Sequence, residues 1–317
     1  MSTYYAALSD RLLVGDGQWT ERLVGETLDC VAADPRAPGR AFVGTVNAGL
    51  QRTADGGESW DLALDAGDRV TSVTVSPHDP TVVWAGTEPS AVYRSTDGGD
   101  NWTEKTGLTD LDSASRWSFP PRPHTHHVRW IAVAPDDPEQ LYIAIEAGAF
   151  VRSPDGGDTW LDHPDGGRYD NHTIATHPDA PARVYTAAGD GYALSTDRGE
   201  TWTYPQDGLD HRYVWSVAVH PDDPEAVVVT SARGARSAHS TSGESYVYRT
   251  TSEGWEPAMD GLGGPDGLAR PVLSTDGDGF AALTNRGLFR SGAGKSWERV
   301  GSWADAYDQV PRGLAVV

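Results

Sequence analysis

Four near-copies of one eight-residue phrase recur along the chain and constrain its fold more than any other feature. Each copy begins with Ser or Thr, has Asp two positions later and Gly four positions later, and ends in Trp; the copies occupy residues 53–60, 95–102, 153–160 and 195–202. Decayed copies end at Trp255 and Trp297, and a weaker remnant ends at Trp19. The seven tryptophans lie 41, 42, 58, 42, 53 and 42 residues apart. Such a period indicates seven stacked copies of one supersecondary unit.

A second repeated segment supports this count. Residues 70–77, 128–135, 171–178 and 214–221 alternate apolar and polar side chains as β-strands do. The first three precede the Trp of their phrase by about 29 residues and the fourth by 38. Residues 312–317 resemble the same strand but have no phrase after them, whereas the remnant at Trp19 has no such strand before it. We therefore predict that the C-terminal residues form the innermost strand of a unit completed by residues 2–24. The prediction is an all-β, seven-bladed β-propeller of four-stranded antiparallel blades, formed by residues 1–317 as a single domain.

The repeated phrase resembles the Asp-box, Ser/Thr-x-Asp-x-Gly-x-Ser/Thr-Trp, and the chain is similar to the BNR/Asp-box repeat family. That family includes sialidases, sortilin-type receptors, xyloglucan hydrolases and a photosystem II assembly factor. The resemblance implies a propeller but no particular activity, because these proteins share a fold and not a function. The sialidase pattern includes an Arg-Ile-Pro segment and six blades; this chain has no such segment, so sialidase activity is not expected.

The repeated phrases themselves are expected to be structural rather than metal-binding. Each offers one well-placed carboxylate, whereas a calcium loop supplies several oxygens. We expect the carboxylates to accept backbone N–H groups across the turn, the second glycines to adopt positive φ, and the tryptophans to pack between blades. The four carboxylates are those of Asp55, Asp97, Asp155 and Asp197.

The composition limits the kinds of partner and the cellular compartment that we expect for this protein. The formal net charge of −21 argues against nucleic acid as a partner, because phosphate backbones require clustered cations. Only Lys105 and Lys295 are lysines, a pattern typical of the acidic surfaces of halophilic proteins, although an ordinary acidic bacterial protein is the alternative. The sequence has one cysteine, Cys30, no apolar run of membrane-spanning length and no visible export signal. These features predict a cytoplasmic protein, and we expect a monomer.

The two long spacings predict where the functional site lies. About 16 extra residues separate Trp102 from Ile131, and about 9 more lie around residues 231–245. Antiparallel alternation puts both insertions on one face, the face opposite to the repeated turns. Because binding residues concentrate in loops on a rigid scaffold, we expect the site on this face, at the mouth of the central channel.

Arginine and histidine side chains collect in these loops, and three interpretations remain open. Imidazoles could bind a divalent metal (Zn, Fe or Mn), with Glu146 or Asp190 as an oxygen ligand; guanidinium groups could hold a carboxylate or phosphate; or both sets could be structural. The candidate metal ligands are His124, His126, His127, His172 and His211. The candidate ligand-binding residues are Arg122, Arg129, Asp190, Arg212, Tyr213 and Arg270, and the candidate catalytic residues are His126, Glu146 and His211.

The favoured hypothesis is a propeller that binds a small anionic ligand, with or without a divalent metal, in this Arg/His-rich mouth. A non-catalytic scaffold or assembly factor is the alternative, in which Arg122, Arg129 and the Trp117–Phe119 loop contact a partner protein. A third hypothesis, a glycoside hydrolase or lyase, requires paired carboxylates, for which Glu88, Glu146 and Asp190 are candidates.

The acidic composition predicts that stability depends on salt. The free energy of unfolding should rise between about 0.1 M and about 3 M KCl, because salt screens the repulsion among surface carboxylates. Urea unfolding at the two concentrations measures this. Equal stability at both would identify an ordinary acidic protein.

Overall fold

A computed structural model describes residues 2–67 and 69–317, and its strands form seven small antiparallel sheets. The innermost strand of each sheet contacts the innermost strands of its two neighbours, so the sheets close into a ring. The chain is therefore all-β and forms a seven-bladed propeller, as predicted. Among the described residues, no helix has the length and apolar character that crossing a bilayer requires.

The blades are numbered along the chain, and their strands are given from the channel outward. Blade I contains Gly313–Val316, Tyr4–Ala7, Leu12–Gly15 and Trp19–Arg22; blade II contains Leu28–Ala33, Ala41–Thr45, Leu50–Thr53 and Asp61–Leu64; blade III contains Arg69–Val75, Val83–Glu88, Val92–Ser95 and Thr103–Lys105. Blade IV contains Val128–Val133, Leu141–Ile145 and Ala149–Ser153; blade V contains Asn171–Ala175, Val184–Ala188 and Gly191–Ser195. Blade VI contains Tyr213–His220, Asp223–Ala232, Tyr246–Thr251 and Gly254–Pro257; blade VII contains Val272–Asp276, Gly279–Thr284, Gly287–Ser291 and Glu298–Arg299.

The two chain ends meet in blade I, which confirms the predicted closure. The strand Gly313–Val316 pairs with Tyr4–Ala7 in antiparallel register. Two further hydrogen bonds extend the pairing: Thr3 N–H donates to the Val317 carbonyl at 2.7 Å, and Val317 N–H donates to the Thr3 carbonyl at 2.9 Å. The ring is thus held by backbone hydrogen bonds between residues from opposite ends of the chain.

Blades IV and V depart from the predicted four strands. Their outermost segments are each joined to the third strand by one bridge, between Arg152 and Leu161 in blade IV and between Leu194 and Thr203 in blade V. The predicted fourth strand is thus present in these two blades as a single bridge. The short segment after the repeated turn turns away after one paired residue instead of continuing the ladder.

The four repeated turns share one hydrogen-bonding pattern, shown by the copy in blade V. Asp197 Oδ1 accepts the Thr201 N–H at 2.8 Å, and Oδ2 accepts the Thr201 hydroxyl at 2.6 Å. The buried Ser195 hydroxyl donates to Asp197 and accepts the Gly199 N–H at 2.8 Å. Gly199 has a φ of 79°, a conformation that favours glycine. The predicted structural role of the carboxylate is confirmed.

Hydrogen bonds in these turns also lower the pKa values of the aspartate carboxyl groups. In the copy of blade III, the pKa of Asp97 falls to about 2, chiefly because the side-chain and backbone amides of Asn101 donate to its carboxylate. The tryptophans of the turns pack between blades as predicted. Trp60 lies against apolar side chains of blades I and II, among them Tyr5 and Val43.

The two insertions contain three of the four short helices found in the described residues. The first carries the 3₁₀ turns Leu108–Asp110 and Asp112–Arg116, and the second carries the one-turn α-helix Ala235–Ala238. A further 3₁₀ turn, Asp305–Tyr307, precedes the closing strand.

Removing one turn hydroxyl tests the local role of the repeat. Ser195→Ala should lower the free energy of unfolding by about 1–3 kcal/mol, because the buried Gly199 N–H loses its acceptor. Urea unfolding provides the measurement. The matched control Ser302→Ala, at an exposed position, should change stability by less than about 0.5 kcal/mol; equal effects of the two changes would contradict the assignment.

Candidate functional site

A cavity of about 220 Å³ lies at the mouth of the central channel, where inner strands begin. Six blades line it, and both insertions reach it through Phe119 and His239. The lining residues are Asp29, Arg69, Thr71, Phe119, Pro121, Arg122, His127, Arg129, Glu146, Trp215, His239, Arg270 and Arg312. Residues next to the starts of different inner strands become neighbours here, because the ring brings those strands side by side.

One side of the cavity holds compact ion pairs. Arg69 binds Asp29 through two guanidinium nitrogens, one of them 2.7 Å from Oδ1. Arg122, from the first insertion, makes a two-pronged contact with Glu88 at 2.6 and 2.5 Å. Burial alone would raise the pKa of Glu88, but the Arg122 hydrogen bond and nearby positive charge lower it below its usual range. These cations are neutralised within the protein.

Glu146 is a third buried carboxylate on this side. Its Oε2 lies 3.0 Å from His127 Nε2 and 3.5 Å from Arg129 Nε. Burial opposes ionisation of Glu146, but the His127 hydrogen bond and the charges around it lower the pKa well below the ordinary glutamate value. Glu146 is therefore ionised.

Trp215 forms the centre of the cavity wall. The guanidinium carbons of Arg270 and Arg129 lie 3.6 and 4.8 Å from the centre of its ring. The His172 and His239 rings pack against it at 4.4 and 4.7 Å. A buried indole between two guanidinium groups gives both cations an attractive surface without neutralising them.

The other side of the cavity has an excess of positive charge. Arg270 is 2% exposed and donates through Nε to His239 Nδ1 at 3.2 Å, while its Nη1 is buried without a hydrogen-bond partner. Arg312 likewise has a buried Nε without a partner. Within residues 2–67 and 69–317, neither arginine forms an ion pair with a carboxylate. Burial, then the neighbouring cations Arg312 and Arg129, lower the pKa of Arg270 well below its usual value.

His239 completes this side from the second insertion. Because its Nδ1 accepts from Arg270, its Nε2 carries the proton and donates to the Tyr213 hydroxyl oxygen at 3.1 Å. Although His239 stays exposed at the rim, desolvation and then the Arg270 charge lower its pKa below the ordinary histidine value. The ring is therefore neutral.

The structure brings together only part of the predicted site. Arg122, His127, Arg129, Glu146 and Arg270 line the cavity. His172 and Tyr213 border it through their contacts with Trp215 and His239.

The other predicted residues lie elsewhere. His211 stacks on Tyr246 at 3.9 Å and hydrogen-bonds to Tyr248 at 2.8 Å. His126 packs edge-on against Trp117 at 5.5 Å. His124 and Arg212 are exposed, and Asp190 accepts the amides of residues 169 and 170. The five candidate metal-binding histidines therefore do not converge on one point, and their proposed roles stay predictions.

Sequence reasoning did not select several residues that line the cavity. Trp215 fits the apolar pattern of its strand, and no motif in the sequence singles out His239. Arg69 and Arg312 lie just before or at the start of an inner strand, as Arg129 and Arg270 do. This equivalence in the repeat could have identified them as cavity residues.

One cluster among the described residues has the composition of a metal site. Glu146, Asp170 and His172 each offer a ligand atom, and these atoms lie within 4.8 Å of one another. Asp170, not Asp190, thus supplies the second carboxylate beside Glu146. Burial raises the pKa of Asp170.

The chain matches no protein-family model, and no curated protein matches it. It is similar to several solved structures. An ancestral GH74 enzyme has a TM-score of 0.65 at 17% identity over 99% of this chain and 40% of its own length. The GH74 xyloglucanase from Xanthomonas campestris has a TM-score of 0.67 at 17% identity over 98% of this chain and 52% of its own length. YCF48 bound to a D1 peptide has a TM-score of 0.58 at 19% identity over 86% of this chain and 82% of its own length.

These similarities concern the fold. The chain spans about half or less of the length of the two GH74 enzymes, whereas it and YCF48 match over most of both chains. Propellers of this kind serve different functions, so the site must be interpreted from its own residues.

The Arg69–Asp29 contact can be tested by removing its charges in turn. Arg69→Met leaves the buried Asp29 carboxylate unpaired and should lower the free energy of unfolding by about 2–4 kcal/mol. The double variant Arg69→Met with Asp29→Asn should lose less, because no unpaired charge remains. Urea unfolding of the two variants decides; a double variant less stable than Arg69→Met would contradict the charge-pairing explanation.

Proposed function

We propose that this propeller binds a small anionic molecule at the mouth of its channel, through Arg270 and Arg312. The observation that carries this proposal is the pair of guanidinium groups that face the cavity and have no carboxylate partner in the part of the chain that the structure describes. Their neighbours Arg69 and Arg122 are neutralised by Asp29 and Glu88. The unpaired charge is thus confined to one side of one cavity.

Desolvation of the two arginines favours the binding of an anion. A buried cation loses its hydration, and the cost is recovered only when an opposite charge and hydrogen-bond acceptors replace the water. Arg270 is almost fully buried and has other cations nearby, which together lower its pKa. An anion bound between Arg270 and Arg312 would remove both penalties and would accept hydrogen bonds from the unpartnered Nη1 of Arg270.

The cavity limits the kind of anion. Its volume of about 220 Å³ lies below the usual range of drug-sized ligand sites, roughly 300–1,000 Å³, so the ligand is of metabolite size. Guanidinium groups pair in two-pronged fashion with carboxylates and phosphates. The Trp215 and Phe119 rings would contact the apolar part of such a molecule.

Peptide or protein binding is a second candidate, and a specific observation favours it. The YCF48 structure, which matches this chain over most of both lengths, is bound to a D1 peptide. In this case residues 112–123 of the first insertion would contact the partner. Loss of a stoichiometric partner on deleting 112–123, with no change on replacing Arg270, would support this candidate over the first.

The glycoside hydrolase hypothesis receives less support from the carboxylates selected for it. Glu88 is held in a two-pronged pair by Arg122, and Asp190 lies outside the cavity. The pKa values of Glu88 and Glu146 are lowered, whereas a general acid of a glycosidase has a raised pKa.

Charge removal at the two arginines tests anion binding. With inorganic phosphate and malonate as probes in calorimetric titrations, Arg270→Met and Arg312→Met should each weaken binding about 10- to 100-fold, because each removes a charged hydrogen-bond donor. Unliganded Arg270→Met should also be at least as stable as the parent protein, because it removes an unpaired buried cation.

The matched control is Arg233→Met. Arg233 lies in the second insertion, its side chain is 73% exposed, and it is paired with Glu244, so the probes should bind this variant unchanged. Probe binding that is equally strong in all three variants, together with destabilised Arg270→Met, would assign Arg270 a purely structural role and remove the proposal.

A further inference from the structure

Glu146, Asp170 and His172 gather between blades IV and V at the edge of the cavity. Glu146 follows the second strand of blade IV, and Asp170 and His172 flank Asn171, the first residue of the inner strand of blade V. Their potential ligand atoms lie within 4.8 Å of one another. The cluster therefore depends on the packing of one blade against the next.

The hydrogen bond of His172 fixes its tautomer. Its Nδ1 lies 2.7 Å from the Val214 carbonyl oxygen, and a carbonyl can only accept, so Nδ1 carries a proton. In the neutral ring, Nε2 then presents a lone pair. Its side chain is 0% exposed, and Nε2 is buried with no hydrogen-bond partner among the described residues.

The lone pair of His172 faces another acceptor. Asp170 Oδ2 lies 3.7 Å from Nε2, which is beyond hydrogen-bond distance. Two acceptors that face each other at this separation repel, and a proton on either group or a metal ion bound between them removes the repulsion. Ligands about 2.0–2.2 Å from one tetrahedral ion lie roughly 3.4 Å apart, and the observed gap is close to that separation.

Contacts outside the cluster orient the two carboxylates. Asp170 Oδ1 accepts the Ala147 N–H at 2.9 Å, which leaves Oδ2 for the gap. His127 and Arg129 both approach Oε2 of Glu146, which leaves Oε1. A Cβ atom on Gly189 would lie 2.0 Å from Asp170 Oδ2, so this glycine makes the room that Asp170 needs. Outer contacts of this kind typically hold metal ligands in place.

We propose that Glu146, Asp170 and His172 bind a divalent first-row transition metal ion of the zinc class. One imidazole and two carboxylates form a donor set that suits such an ion. The two carboxylates balance its charge, and three protein ligands leave a coordination position for water. This site is separate from Arg270 and Arg312, so it goes beyond the anion binding proposed above.

The test is calorimetric titration of Zn²⁺ into protein freed of metal by a chelator, with elemental analysis of the dialysed complex. The expected result is one Zn²⁺ per chain, with much weaker binding of Mg²⁺. Asp170→Asn and His172→Gln should each weaken Zn²⁺ binding at least about tenfold. His172 is fully buried and its variant risks misfolding, whereas the Asp170 side chain is 29% exposed. Asp170→Asn, checked by circular dichroism, is therefore the deciding variant.

The matched control is His211→Gln, since His211 lies away from the cluster against Tyr246 and Tyr248. It should bind Zn²⁺ like the parent protein. Absence of stoichiometric Zn²⁺ binding, or equal binding by Asp170→Asn and His211→Gln, would overturn the proposal. A proton that stays on His172 Nε2 in excess Zn²⁺, detected by nitrogen NMR, would overturn it as well.

The metal-binding proposal and the anion-binding proposal can be disproved independently of each other. Arg270→Met should keep full Zn²⁺ binding while it loses phosphate and malonate. Loss of Zn²⁺ binding in Asp170→Asn with phosphate binding retained would support both proposals as independent.

Discussion

The pairing of the last strand with the first is the interaction on which the rest of the structure depends. An open row of seven blades would leave an apolar face uncovered at each end, and without its inner strand blade I would leave the edge of Tyr4–Ala7 unpaired. Hydrogen bonds between Gly313–Val316 and Tyr4–Ala7 remove those ends. Closure also brings Arg312 to the same opening as Asp29 and Arg270. The mouth of the channel exists as a site only because the ring is closed.

Charge is distributed in opposite ways on the outside and at the mouth. The chain carries a formal net charge of −21, yet the arginines that line the cavity outnumber the carboxylates available to them. Asp29, Glu88 and Glu146 neutralise the cations on one side. On the other side, Arg270, which packs on Trp215, and Arg312 have no carboxylate partner among the described residues. Keeping buried cations unpaired costs stability, and such a cost is typical of a surface organised for a ligand.

Much of the fold followed from the sequence, because its causes are local and repeated. The Ser195–Asp197–Gly199 turn recurs in four blades with the same hydrogen bonds and the same positive φ. The spacing of its copies along the chain therefore gave the number of blades. The sequence does not reveal that the outer strand shortens to a single bridge in blades IV and V, because the phrase before it is intact. In the site, Arg129 and Arg270 were found from their position at inner strands. Trp215 was missed because an indole in an apolar strand looks like ordinary core.

The sequence by itself determined the all-β class, the seven units and the shared blade of the two chain ends, since hydrogen bonding in turns and strand alternation depend on residues near one another in the chain. Only the tertiary structure decided which charges are paired, that His211 lies apart from His172, and that Asp170 rather than Asp190 joins Glu146. Those outcomes depend on distances of a few ångströms between side chains on different blades, and on which groups lose their water. The spacing of residues in the sequence specifies neither the distances nor the loss of water.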